Sequence, residues 1–170
     1  MAQILNYYKY PEVTTTTIPA YTWNGTTYPA IAPTAIDWAN MLDVYKKGAY
    51  TEDQRMAVAH LMRLCGQALQ MQYSSYVSNA YGEYFVGAFC DYFGYDKGIR
   101  YVPRELFVAS EWNDMIYEEL AAARPVLYGG QSTGGGHAFV VDGYDADELF
   151  YVSWGWGGYC DGSFLLSVLD

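Results

Sequence analysis

The chain carries two histidines and three cysteines, the side chains best suited to nucleophilic and proton-transfer chemistry near neutral pH. His137 directly follows Gly134-Gly135-Gly136 and heads the run AFVVDGY. Three glycines clear the approach to the ring, so that another backbone can lie beside the imidazole. The run is apolar enough to predict a buried strand, a rigid support for a catalytic group. An imidazole titrates near 6.5 in water and is suited to general acid–base work. A glycine turn before a buried strand is equally an ordinary hairpin device. Further on stands Ser153-Trp154-Gly155-Trp156-Gly157-Gly158. Two tryptophans in a glycine-rich turn make an aromatic wall able to shield a charged pair from water and hold an imidazole in place. They also suit an aromatic cap on a core. His60, inside AVAHLMR, reads as a helix-surface or partly packed residue.

Cys65, Cys90 and Cys160 lack metal-ligand spacing and are odd in number. Neither a structural zinc site nor a disulfide framework is expected, and no cofactor is implied. Cys65 falls near the end of its expected helix, where the dipole disfavours a thiolate. Cys90, between Phe89 and Phe93, is expected to be buried. Cys160 follows the WGWGG turn, nearest the histidine motif, but has no helix start behind it.

The elements that must position these groups divide the chain into helices first and sheet second, an α+β arrangement. Residues 1–8 carry apolar side chains at helical spacing, and Pro11 closes that helix. The Thr-, Tyr- and Pro-rich stretch 13–33 predicts a surface path with short strands. Asp37 to Lys47 (DWANMLDVYKK) predicts a helix ended by Gly48. Thr51 with Gln54 forms a capping box for a helix to about Leu69, with Met56, Ala59, Met62, Leu64 and Cys65 at the 3.6-residue period. Tyr81 to Phe93 gives another helical pattern, stopped by Gly94. Ser110 is the expected cap of a fourth helix through Ala123, with Trp112, Ile116 and Leu120 on one face. Strands are then expected at 126–128, 137–144, 149–154 and 163–167. The whole reads as a single partial domain, residues 1–170, helical to about 124 and sheet from about 125.

The two motifs in this order, GGHAFVVDGY and then FYVSWGWGG with a closing DGSF strand, resemble the streptopain family of bacterial cysteine peptidases, which have a papain-like fold. The start, AQILNYYKYP, is similar to the family's helix directly after its nucleophilic cysteine. QALQMQYSSYVSNA (67–80) is similar to its substrate-wall segment. The resemblance spans essentially the whole chain. It implies peptide-bond hydrolysis by a Cys–His thiolate mechanism, with His137 as the histidine and Trp154 packed against it. It further implies substrate contacts at Gly136 and Asn79, the latter at a position where serine is more usual. Protein or peptide substrates, an inhibitory propeptide and an extracellular or periplasmic setting are implied too.

The sequence departs from the family pattern in three ways. No cysteine occupies the nucleophile's place, which the pattern sets a few residues ahead of Met1, in keeping with the roughly 130–150-residue Cys-to-His distance of papain-like enzymes. Ser153 stands where asparagine is usual, which puts the orientation of the imidazole in question. The chain also stops before the family's last segment of sheet and loop. The expectation is therefore a fragment truncated at both ends and inert as it stands. A non-catalytic peptide- or glycan-binding module on the same fold is the alternative, and another Cys–His amidase a third.

Composition fits these readings. Of 170 residues, 52% are hydrophobic and 16% charged, which excludes intrinsic disorder. A formal charge of -10 repels phosphate backbones, so neither nucleic acid nor an anionic membrane is an expected partner. The 19 tyrosines and 5 tryptophans suit a binding cleft without naming its ligand.

Overall fold

Helix precedes sheet in the computed structural model, which describes residues 1–169. The chain divides into two compact units, Met1–Tyr101 and Val102–Asp170.

In the first unit, α1 (Ala2–Tyr8) buries Ile4 and Leu5 and ends at Lys9 in the left-handed region. A small hairpin follows, β1 (Tyr21–Trp23) and β2 (Thr26–Tyr28). Its turn, Asn24-Gly25, takes positive φ at both residues, the geometry two-residue hairpins favour. Helix α2 (Glu52–Ala68) starts at the expected capping box. The Gln54 N–H donates to Thr51 Oγ1 at 3.3 Å, and the Thr51 N–H donates to Gln54 Oε1 at 2.8 Å. Its buried face is Ala57, Leu61, Leu64, Cys65 and Ala68, whereas Met56 and Met62 are more than half exposed. Both stripes obey the helical period, so periodicity gives the helix but not its phase. Gly66 lies inside this helix because the Tyr73 hydroxyl occupies the space a Cβ would need.

Two expected helices are corrected. Residues 37–47 form only a 3₁₀ turn, Trp38–Asn40. The Asp37 carboxylate accepts both the Asn40 N–H and the Asn40 side-chain amide, a local alternative to helix bonding. Beyond it, the Tyr45 hydroxyl accepts from the Leu42 N–H and donates to the Gln54 carbonyl, tying the segment down without helical bonds. The second expected helix, 81–93, is a short α3 (Tyr84–Gly87) that widens into a π turn over Ala88–Tyr92.

In the second unit, α4 (Ala109–Ala121) starts one residue before the expected cap. Ser110 lies in its first turn, and Glu111 Oε2 accepts the Val108 N–H instead. Strands β3 (Val126–Ser132), β4 (Gly135–Tyr144), β5 (Phe150–Ser153) and β6 (Gly162–Phe164) form one antiparallel sheet in chain order. The last expected strand is shorter than predicted and gives way to a 3₁₀ turn at Leu166–Val168. Trp112 and Ile116 of α4 pack on Tyr128, Phe139, Val141, Phe150, Val152, Leu166 and Leu169. The Trp112 indole N–H donates to the Tyr128 hydroxyl at 2.8 Å, so this core satisfies its polar edge.

Candidate functional site

The sheet of the second unit gathers the histidine and tryptophan motifs. Strand β4 pairs with β3 so that His137 lies opposite Gly130, and with β5 so that Val140 lies opposite Ser153. The strand is not buried from its first residue, as the sequence suggested. His137 and Ala138 are exposed, and burial begins at Phe139 to Val141. The histidine therefore stands on the open end of a strand anchored in the core a residue or two further on.

Its imidazole is held by the backbone. Nε2 lies 2.9 Å from the Trp154 carbonyl oxygen. A carbonyl only accepts, so Nε2 must carry the proton and Nδ1 holds the lone pair of the neutral ring. The ring is also flanked by aromatics. Its centroid is 4.9 Å from that of Trp156, 6.1 Å from Trp154 and 6.3 Å from Phe139. The two indoles stack on each other at 5.6 Å and 16°. A cationic imidazole beside an indole gains about 0.5–1 kcal/mol at an exposed site. Trp156 is 52% exposed, so this wall has one face in solvent.

The turn that carries the tryptophans is tied at its base. The Trp154 N–H donates to Asp161 Oδ1 at 2.9 Å, and its indole N–H donates to the Cys160 carbonyl at 3.0 Å. Between them Gly155, Gly157, Gly158 and Cys160 all take positive φ. Asp142, at the bulge between Val141 and Gly143, has its carboxyl pushed above the usual range by burial and then by the Asp161 charge.

The other sequence candidates fall as follows. Ser153 is half-buried at the end of β5, next to Trp154. Gly136 is exposed opposite Gln131, whose Oε1 would lie 2.9 Å from an added Cβ. Asn79 lies in the first unit, exposed and bridged to Gln72 by a pair of backbone hydrogen bonds of 2.8 and 3.2 Å. Asp161 enters the sequence reading only as the first residue of the DGSF segment, with no role attached to it.

No resident thiol has the setting of a nucleophile. Cys65 is buried, which pushes its thiol up to about 12. Cys90, expected to be buried, is only half-buried in the π turn, with its Sγ 3.5 Å from the Asp96 carbonyl; its thiol too is raised, by desolvation first. Cys160 is exposed at a left-handed position in a turn. Among the described residues, no group of three or more His, Cys, Asp or Glu could hold a metal ion, and no helix is long and apolar enough to cross a membrane.

The Peptidase C10 family model matches residues 1–164. The thiol protease/hemagglutinin PrtT of Porphyromonas gingivalis is 35% identical over 173 residues, spanning 100% of this chain and 20% of that protein. Streptopain of Streptococcus pyogenes is 32% identical over 177 residues, covering 99% of this chain and 44% of its own length. The chain thus spans less than half the length of these relatives. Among solved structures, the prointerpain A fragment 39-359 of Prevotella intermedia superposes with a TM-score of 0.87 at 38% identity, over 99% of this chain and 55% of that one. Active wild-type interpain A cysteine protease gives 0.84 at 38% identity, over 97% and 71%. The α+β fold is that of these cysteine protease structures.

Proposed function

Since this chain belongs to the Peptidase C10 family, we propose that it supplies the histidine side of a cysteine endopeptidase site. The observation that carries the reading is the Nε2 contact to the Trp154 carbonyl. One ring nitrogen is committed to the backbone, which leaves Nδ1 as the atom that exchanges protons.

Peptide hydrolysis follows from that assignment. Nδ1 takes the proton of a thiol, giving a thiolate and an imidazolium that keeps its Nε2–H on the carbonyl. The thiolate sulfur attacks the peptide carbonyl carbon, and as the C–N bond breaks the departing amine takes the Nδ1 proton. Nδ1 then accepts a proton from the water that cleaves the thioester. Throughout, Trp154 and Trp156 flank the cationic form of the ring. Gly136 and Asn79 are proposed as substrate contacts, as the family resemblance implies.

The family pattern assigns the nucleophile to a cysteine ahead of Met1, and the settings of Cys65, Cys90 and Cys160 support that assignment. The 170-residue polypeptide is accordingly proposed to be inert by itself. The substrate is an unfolded protein or peptide, the working environment extracellular or periplasmic, and an inhibitory propeptide a natural partner. The test compares the 170-residue chain with one extended at its N-terminus by a Gly-Cys segment continuous with α1. Casein and peptide substrates are expected to be cleaved only by the extended chain, and exchange of His137 for Ala removes that cleavage. Turnover that survives a thiol-blocking reagent refutes the reading. The half-exposed Trp156 also fits a non-catalytic peptide-binding module. In that case the extended chain would bind peptide and never turn it over.

A further inference from the structure

We propose that Asp161 is a positioning residue for this site: its carboxylate holds the turn that presents the Trp154 carbonyl to His137. The inference rests on the reading of His137 given above and deepens it.

Residues 155–158 form a turn with three glycines at positive φ, a stretch with a wide choice of conformations in which Trp156, stacked on Trp154, is the one side chain. Beyond that stacking, the ends of the turn fix the direction of the Trp154 carbonyl. Two ties do so from the far side of the turn. The Asp161 carboxylate takes the Trp154 N–H, and the Cys160 carbonyl takes the Trp154 indole N–H. The first of these is charge-assisted and therefore the stronger. With its amide and its ring both held, Trp154 has little rotation left, and its carbonyl stays 2.9 Å from Nε2. Strand β6 begins directly after Asp161, at Gly162, so the carboxylate is seated on the sheet and not on a free loop. Asp142 on β4, its carboxyl raised by burial and then by the Asp161 charge, is a charged neighbour of that carboxylate. No other residue of the turn, Trp154 to Cys160, has an ionisable group except the Tyr159 phenol and the Cys160 thiol.

The experiment uses ¹⁵N-histidine-labelled 170-residue chain at alkaline pH, where imidazoles are neutral. Only His60 and His137 report, and they lie in different units. In the wild type the His137 nitrogens are expected far apart in chemical shift, one protonated and one bare. Asp161→Ala is expected to narrow that separation by about half while His60 stays put. Asp161→Asn restores it, because the amide oxygen still accepts the Trp154 N–H. Asp161→Glu, which keeps the charge but moves the acceptor by a methylene, gives the same narrowing and serves should the Ala variant fail to fold. A separation that persists in the Ala and Glu variants overturns the proposal and leaves the function reading intact. Movement of His60 equal to that of His137 also overturns it, since Asp161 would then be merely structural. Nitrogens already averaged in the wild type sink the His137 reading, and this inference with it.

Discussion

Gly130 lies directly across from His137, and an alanine there tests how the sheet supports the site. A Cβ on Gly130 would sit 2.5 Å from the Leu169 carbonyl oxygen and 3.4 Å from a Phe139 ring carbon. Ordinary contact begins at 3.4 Å, so the carbonyl must retreat by about 0.9 Å. That carbonyl ends a 3₁₀ turn whose N–H bonds back to Leu166 at 2.9 Å, and the Leu169 side chain is buried in the core. Overpacking of this kind costs about 1–3 kcal/mol. Its ceiling is set by pulling Leu169 out of the core, about 1.5–3 kcal/mol for a leucine. Gly129 is the control. An added Cβ there meets nothing within 4 Å, and neither glycine is in the left-handed region. Gly129→Ala should gain about 0.4–1 kcal/mol through the unfolded chain. Urea titrations followed by tryptophan fluorescence should therefore separate the two variants by about 1.5–4 kcal/mol. Stabilities equal to within about 0.5 kcal/mol, the usual scatter of surface changes, would refute the packing argument. The histidine spectrum of Gly130→Ala separates two ways of relieving the clash. If the Leu169 turn yields, as expected, His137 is unmoved; if β3 yields, its nitrogens shift.

Other expectations follow from single observations. Thr51→Ala should lower stability by about 1 kcal/mol, and Thr51→Ser by much less, because serine keeps the oxygen that takes the Gln54 N–H; thermal unfolding reads both. Alkylation at pH 8 with peptide mapping should label Cys160 first and Cys65 only on unfolding, since Cys65 is buried with its thiol raised to about 12. Equal rates at the two would contradict the burial. Asp142 titrates above its ordinary 3.8 in the folded protein, so the native state binds the extra proton between that value and its raised one. Stability therefore falls as pH rises through that window and stays lower above it. Asp142→Asn should be more stable than wild type at pH 7, with the gain fading below pH 3.8, and solvent access keeping it small. A gain that instead grows toward acid in urea titrations would reverse the sign.

What the sequence disclosed depended on how locally each feature is encoded. The Thr51–Gln54 box lies within a single turn, and so the start of α2 is legible from four letters. The phase of that helix is not, because Met56 and Ala57 both fit a 3.6-residue stripe and only tertiary packing chooses between them. Residues 37–47 look helical by composition, yet the turn depends on Asp37 bonding Asn40 and the segment beyond on Tyr45 reaching the Gln54 carbonyl. That second partner lies outside the segment being read. At the site, the glycines before His137 and the paired tryptophans were visible as motifs. The tie from Asp161 to Trp154 was not, since its acceptor and donor are seven positions apart across a glycine turn of no fixed path.

The serine at position 153 shows why letters alone leave the site incomplete. Where the family resemblance implies an asparagine, a shorter side chain raises the question of what aims the imidazole. In the structure the atom at hydrogen-bond distance from Nε2 is a backbone carbonyl, which every residue type possesses and no substitution at 154 could delete. Its direction depends on how Trp154 is held at the start of the turn, through its N–H and its indole. A change at Asp161, which is remote in appearance, should then disturb the ring more than a change at Ser153 beside it. Asp161→Ala and Ser153→Ala compared in the same histidine spectrum put that ordering to the test, and a larger response from Ser153→Ala would show that the side chain, not the carbonyl, does the aiming.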